Sequence, residues 1–169
     1  GIGADITFAF DELTSLIDPY DYQVEALART HAWAERSLAE VKRLREARPD
    51  KPYQALFGVL QGANYEDLRK QTAAFLGAMD FDGYGIGGAL EKETMAQTIQ
   101  WVNQILPENK PRHLLGISEP DDIFAAIEQG IDTFDCVSPT RVARNGAAYT
   151  PLGRVNVRGQ KYREMFEPI

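Results

Sequence analysis

Ile131-Asp132-Thr133-Phe134-Asp135-Cys136-Val137-Ser138-Pro139-Thr140-Arg141-Val142-Ala143-Arg144-Asn145-Gly146 decides how this chain is read. The first half reads as a buried β-strand. Ile131, Phe134, Cys136 and Val137 are apolar or small, and Gly130 sets them off from what precedes. Asp135 stands inside that strand, and a buried carboxylate is costly unless it is paired or has chemistry to perform. Ser138-Pro139 breaks the strand. Arg141 and Arg144 follow in a loop suited to phosphate, closed by the turn pair Asn145-Gly146. In a parallel α/β architecture the carboxyl end of a strand is where active sites sit. Taken singly, a strand-end Asp is often a helix N-cap and paired arginines are often only solvated, so the rest of the chain has to decide.

Upstream, the same unit repeats. Residues 4–10 read as a strand ending at Asp11-Glu12. Residues 22–47 read as one long helix or two abutting ones, with Val24, Leu27, Ala28, His31, Leu38, Val41 and Leu44 at helical spacing and Pro49 and Pro52 as the stop. Strands over 54–60, 82–86 and 113–117 end at Gln61-Gly62, at Gly87-Gly88 and around Gly116. Helices are expected over 65–78, 92–106 and 121–129, the last started by Ser118-Glu119-Pro120-Asp121. Residues 147–150 and 154–157 are expected to pair as a hairpin across Pro151-Leu152-Gly153. Alternating strand and helix argues for a parallel sheet, either a small open one or part of an eight-fold barrel. A parallel sheet gathers Asp11, Gln61, Gly87-Gly88, Gly116 and Asp135 on one face.

Bulk composition narrows the class. The 169 residues, 44% apolar and 25% charged, suit one domain over 1–169. A net charge of −7 excludes a general field for nucleic acid. Yet Cys136 to Arg163 carries Arg141, Arg144, Arg154, Arg158, Lys161 and Arg163 without one acidic residue, which fits a local polyanion contact. Cys136 is the only cysteine and His31 and His113 the only histidines, too few for a disulfide framework or an ordinary zinc centre. No run approaches a membrane span and no signal peptide is read, so a cytoplasmic setting is expected.

Phe-Asp-Glu (10–12), Leu-Gln-Gly (60–62), Asp-Gly-Tyr-Gly-Ile-Gly-Gly (82–88), Leu-Leu-Gly (114–116) and Phe-Asp-Cys-Val-Ser-Pro-Thr-Arg-Val-Ala-Arg-Asn-Gly (134–146) resemble the bacterial tRNA-guanine transglycosylases, or queuine tRNA-ribosyltransferases, in order and spacing. The resemblance runs along nearly the whole chain. It implies a partial (β/α)8 TIM barrel of about five βα units with a C-terminal hairpin. The family's N-terminal strands, with a second catalytic aspartate, and its zinc-binding segment are expected to lie outside these residues. Zinc is thus a cofactor of full-length members and none is expected within this chain.

By resemblance, Asp135 is the nucleophile of a glycosidic exchange that replaces guanine at the tRNA wobble position by a 7-deazaguanine through a covalent ribosyl intermediate. Asp11, Gln61, Gly87, Gly88 and Leu115 bind the base, with Tyr84 either a pocket wall or core. Gly116, Ile117, Ser118, Glu119, Pro120, Asp121 and Asp122, with Thr140, Arg141, Val142, Ala143 and Arg144, form two RNA-contact loops. The implied partners are the tRNA anticodon loop, the 7-deazaguanine base and a second copy in a full-length homodimer, with no membrane. Ser138, Glu119 and the order Ala89-Leu90 depart from the common pattern. A truncated RNA-binding or structural piece without catalysis is the alternative reading. A sugar-phosphate barrel enzyme would explain the arginines but neither Asp11 nor Gln61.

Overall fold

Five β-strands pair in parallel in the order of the chain. They are β1 (Ile6–Phe8), β2 (Ala55–Leu60), β3 (Gly83–Ile86), β4 (Arg112–Leu114) and β5 (Thr133–Phe134). The intervening helices are α1 (Tyr20–Ala47), α2 (Glu66–Gly77), α3 (Lys92–Asn103) and α4 (Pro120–Glu128). The short helix α5 (Ser138–Arg144) and an antiparallel hairpin, β6 (Ala147–Thr150) with β7 (Gly153–Asn156), complete the fold. This computed structural model describes residues 2–88, 90–117 and 119–167. A strictly sequential strand order is that of a barrel; a doubly wound sheet reverses direction at a switch point. The curled sheet is half of such a barrel. Among the described residues no helix is long and apolar enough to cross a membrane.

Side chains alternate across a strand, and the registers sort them into two faces. Leu56, Leu60, Tyr84, Ile86 and Leu114 point toward the helices and meet Ala34, Leu38, Ala73, Leu76, Ile99, Val102 and Ala126 in one core. Tyr84 is wholly buried there, so it is core and not a pocket wall. The opposite face carries Phe57, Val59 and Gln61, then Gly83, Gly85 and Gly87, then His113 and Leu115, then Thr133 and Asp135. Gln61, Gly87, Leu115 and Asp135 have this second parity, whereas Asp11, Gly88 and Gly116 have the first. At the amino rim, Asp82 ties the elements together. It accepts from Arg45 Nη2 at 2.8 Å, the Leu56 N–H at 2.8 Å and the Tyr53 hydroxyl at 2.5 Å.

Four expectations are corrected by the fold. The buried stripe of α1 is Gln23, Ala26, Leu27, Thr30, Ala34 and Leu38, whereas Val24 is exposed. Gln23 and Thr30 can go inward because each finds partners on the β1–α1 loop. Gln23 bonds to the Thr14 hydroxyl and to the Ser15 carbonyl, and Thr30 Oγ1 accepts from the Glu12 N–H at 2.9 Å. The fifth strand is two residues long, and Val137 is exposed rather than buried. Pro139 does not open a loop, since proline is tolerated in a helix's first turn, and Ser138–Arg144 is helical. The hairpin turns on Pro151-Leu152, because Gly153 already pairs with Thr150.

Candidate active site

Two clusters of polar groups stand at the carboxyl rim. In the first, Gln61, 3% exposed, continues β2 and donates from Nε2 to Asp11 Oδ2 at 2.5 Å. A carboxylamide has two N–H donors, so among the described residues the second remains for a ligand while Asp11 Oδ1 stays free to accept. Gly88 lies beside them with φ +94°, and a Cβ there would stand 2.8 Å from Arg69 Nη2 and 2.9 Å from Gln61 Oε1. Only glycine fits both the backbone angle and the space. Leu115 Cδ1 and Gln61 Nε2 converge over Gly87, 3.3 and 3.0 Å from where its Cβ would be.

Arg69 is the hidden support of this cluster. It is fully buried on α2, donating from Nε to the Ala63 carbonyl at 2.8 Å and from Nη1 to the Gly87 and Leu60 carbonyls at 2.7 and 3.2 Å. One guanidinium thus ties the end of β2 to the end of β3. Burial pulls its pKa down to about 9, which leaves it cationic at neutral pH. Its Nη2 and Gln61 Oε1 have no hydrogen-bond partner among the described residues. The residue after Asp11 anchors the loop. Glu12 receives the Arg29 fork at 2.5 and 2.8 Å and the Tyr22 hydroxyl at 2.8 Å. These bonds, led by the one to Arg29, hold its carboxyl down at about 2.

The second cluster surrounds Asp135. Its Oδ1 accepts the Gly116 N–H at 3.1 Å and lies 3.1 Å from His113 Nε2, while His113 Nδ1 lies 2.9 Å from Thr133 Oγ1. The Asp135 side chain is 54% exposed, which corrects the expectation of a buried carboxylate. The reason is its place one residue beyond a two-residue strand at the edge of the sheet.

The remaining candidates fall around this cluster. Thr140, Arg141, Ala143 and Arg144 are exposed on α5, but Val142 is 6% exposed and packs inward. Gly116, Glu119, Pro120 and Asp121 are exposed, Ile117 and Asp122 are half-buried, and Ser118 lies outside the described residues. Glu119 accepts from the Tyr149 hydroxyl at 3.1 Å, and Lys92 pairs with Asp122 at 2.9 Å. Arg141, Arg144, Arg154, Arg158, Lys161 and Arg163 are all exposed and form no ion pair among the described residues. Sequence reasoning passed over Arg69, Glu12, Thr133 and His113. Strand alternation could have found His113, because it shares the face of Leu115.

A parallel half-barrel with an amide, two carboxylates and close-approach glycines on its carboxyl rim belongs with the (β/α)-barrel proteins that carry their sites there. Comparison with known proteins narrows this: the family profile of queuine tRNA-ribosyltransferase matches residues 1–169. Queuine tRNA-ribosyltransferases of Streptococcus pyogenes serotype M49 (strain NZ131) and serotype M4 (strain MGAS10750) are each 44% identical to it over 171 residues, covering 99% of this chain and 43% of the relative. The chain belongs to the queuine tRNA-ribosyltransferase family and spans less than half the length of these curated relatives.

The zinc centre expected of full-length members does not fit the residues present. Cys136 is the only cysteine, and among the described residues no three His, Cys, Asp or Glu side chains are grouped to hold a metal.

Proposed function

We propose that the full-length protein carrying this chain exchanges guanine at the wobble position of a tRNA for a 7-deazaguanine. The observation that carries the proposal is the Asp11–Gln61–Gly88 cluster. Guanine offers N–H donors at N1 and its exocyclic amine and an acceptor at O6. Asp11 accepts the former, and the spare Gln61 N–H and the Gly88 N–H donate to O6. Adenine reverses these roles at its corresponding edge and would leave buried groups unpaired, which a site of this kind rejects strongly. The base has to leave its stack to enter, so the substrate is a flipped nucleotide, and the exposed arginines of α5 and the hairpin supply phosphate contacts beside it.

Asp135 serves as nucleophile. Its carboxylate forms a bond to C1′ as the C1′–N9 bond breaks, and the bonding pair leaves with guanine, which takes up one proton. The incoming base then attacks C1′, loses one proton and releases the carboxylate, so two inversions retain configuration.

One observation favours a second reading for the isolated 169 residues. Ile6 and Phe8 of β1 and Phe10 just beyond it are 52, 39 and 80% exposed, and β1 is an unpaired edge that a closed barrel would cover. The isolated chain is then a binding piece without turnover.

A denaturing gel tests both. A full-length enzyme carrying residues 1–169 is expected to give an enzyme–RNA adduct, Asp135→Asn none, and the isolated chain none. An adduct that survives Asp135→Asn places the nucleophile elsewhere.

A further inference from the structure

We propose that His113 is a positioning residue that assigns separate tasks to the two oxygens of Asp135. The proposal rests on the transglycosylase reading and deepens it. In register, His113 lies between Gly85 of β3 and Thr133 of β5 on the face that carries the site. The absent side chain at Gly85 leaves that row to Phe8, whose ring centroid lies 5.2 Å from the imidazole at an interplanar angle of 52°. The His113 side chain is 13% exposed, against 54% for Asp135. The less packed partner is therefore the carboxylate, and the packed one is the ring.

The hydrogen-bonding roles follow from elimination. An ionised carboxylate only accepts, so the 3.1 Å contact to Asp135 Oδ1 needs the proton on His113 Nε2. In the neutral ring Nδ1 is then bare and accepts from the Thr133 hydroxyl at 2.9 Å. Asp135 thus fixes the tautomer, and the Thr133 hydroxyl, which can donate, satisfies the bare Nδ1 and holds the ring in place. The Gly116 N–H reaches the same Oδ1 at 3.1 Å. Oδ2 has no hydrogen-bond partner among the described residues. Two donors hold Oδ1 in place, and the undiminished lone pairs of Oδ2 face the reaction.

The step balances without a proton passing through the ring. Oδ2 bonds to C1′ as C1′–N9 breaks, and the electron pair leaves with the base, which takes up one proton from solvent. Oδ1 becomes the carbonyl oxygen of the acylal and still accepts from both donors. When the incoming base attacks C1′, Oδ2 departs and Oδ1 shares the returning charge. Without His113, one N–H from a loop glycine is left to fix an exposed carboxylate. Misplacement of a reacting atom on the ångström scale costs about 10²-fold in rate.

The test uses a full-length enzyme carrying residues 1–169 and measures single-turnover adduct formation, tRNA affinity and base affinity separately. His113→Leu, which keeps bulk but no donor, is expected to slow adduct formation about 10²-fold with both affinities unchanged. His113→Gln, whose amide nitrogen can occupy the place of Nε2, is expected to recover most of that loss. Thr133→Val keeps the imidazole but removes the partner of its Nδ1 and so loosens its orientation. It should slow the same step alone, add nothing in the His113→Leu background, and carry the test if the leucine variant fails to fold. An unchanged adduct rate in His113→Leu and Thr133→Val overturns the proposal while the transglycosylase reading stands. So does a His113→Gln no better than His113→Leu, or a joint loss of both affinities. No adduct from the unsubstituted enzyme overturns both.

Discussion

Along the carboxyl rim, the β1–β3 side and the β4–β5 side hold their polar groups by different means. On the first side, Gln61 and Arg69 are 3% and 0% exposed, and the guanidinium binds three carbonyls from two strand ends. On the second, the Asp135 side chain is 54% exposed and relies on one ring nitrogen and one loop N–H. Reading a base by its edge requires donors and acceptors that cannot relax toward a wrong partner, and burial enforces that. On the proposed function, Asp135 has to reach a sugar carbon delivered by a bulky RNA, and that requires access. Rigidity on one side and access on the other are two demands met by two parts of one sheet.

The comparison predicts unequal tolerance of the same substitution. Gly88 and Gly116 both have positive φ, +94° and +77°. A Cβ at Gly88 meets Arg69 Nη2 at 2.8 Å and Gln61 Oε1 at 2.9 Å, whereas at Gly116 nothing lies within 4 Å. Gly88→Ala is expected to cost about 3 kcal/mol, backbone strain plus overpacking. Gly116→Ala should cost about 1 kcal/mol, the backbone term alone. Urea unfolding of the two variants checks this, and equal costs would erase the difference between the sides.

Asp11→Asn sharpens the recognition half. An amide in place of the carboxylate sets an N–H against guanine donors in a buried site. Guanine affinity in the full-length enzyme should fall by about 2 kcal/mol, the scale of an unpaired buried polar group. Adduct-competent tRNA binding through the arginines should persist. Titration calorimetry with free guanine decides it, and unchanged affinity would remove Asp11 from the base site.

The same division governs what was legible in the sequence. Strand order and the rim positions of Asp11, Gln61, Gly88 and Asp135 follow from alternation of strand with helix, which periodicity exposes directly. The register of α1 did not follow. Its inward face includes Gln23 and Thr30, whose burial is offset by partners on the β1–α1 loop that no periodicity encodes. Arg69 was missed for a related reason: arginine is almost never fully buried unless its donors are satisfied, and here carbonyls from outside its own helix, at the ends of two strands and in a loop, satisfy most of them. The length of β5 escaped because Cys136 and Val137 have strand-like character but no strand beside them to pair with on the far side. Asp135 is exposed for the same geometric reason.

The smallest expected effect concerns the anchor of the Asp11 loop. Glu12 is held by the Arg29 fork and the Tyr22 hydroxyl, chiefly the former, and its pKa falls from 4.5 to about 2. A carboxyl whose folded pKa lies below its unfolded one stabilises the fold above the unfolded value and loses that contribution as pH falls through the folded one. The window here runs from about 4.5 down to about 2. Glu12→Gln should therefore lower the urea midpoint modestly at pH 7, with the gap to the unsubstituted chain narrowing steadily as the pH is taken from 5 toward 2. The Glu12 N–H still donates to Thr30 in the variant, so base affinity at neutral pH should be unchanged. A gap that stays constant across that range would mean that the glutamine loses packing rather than charge. A loss of base affinity at pH 7 would mean that the fork positions Asp11 itself and not only the loop behind it.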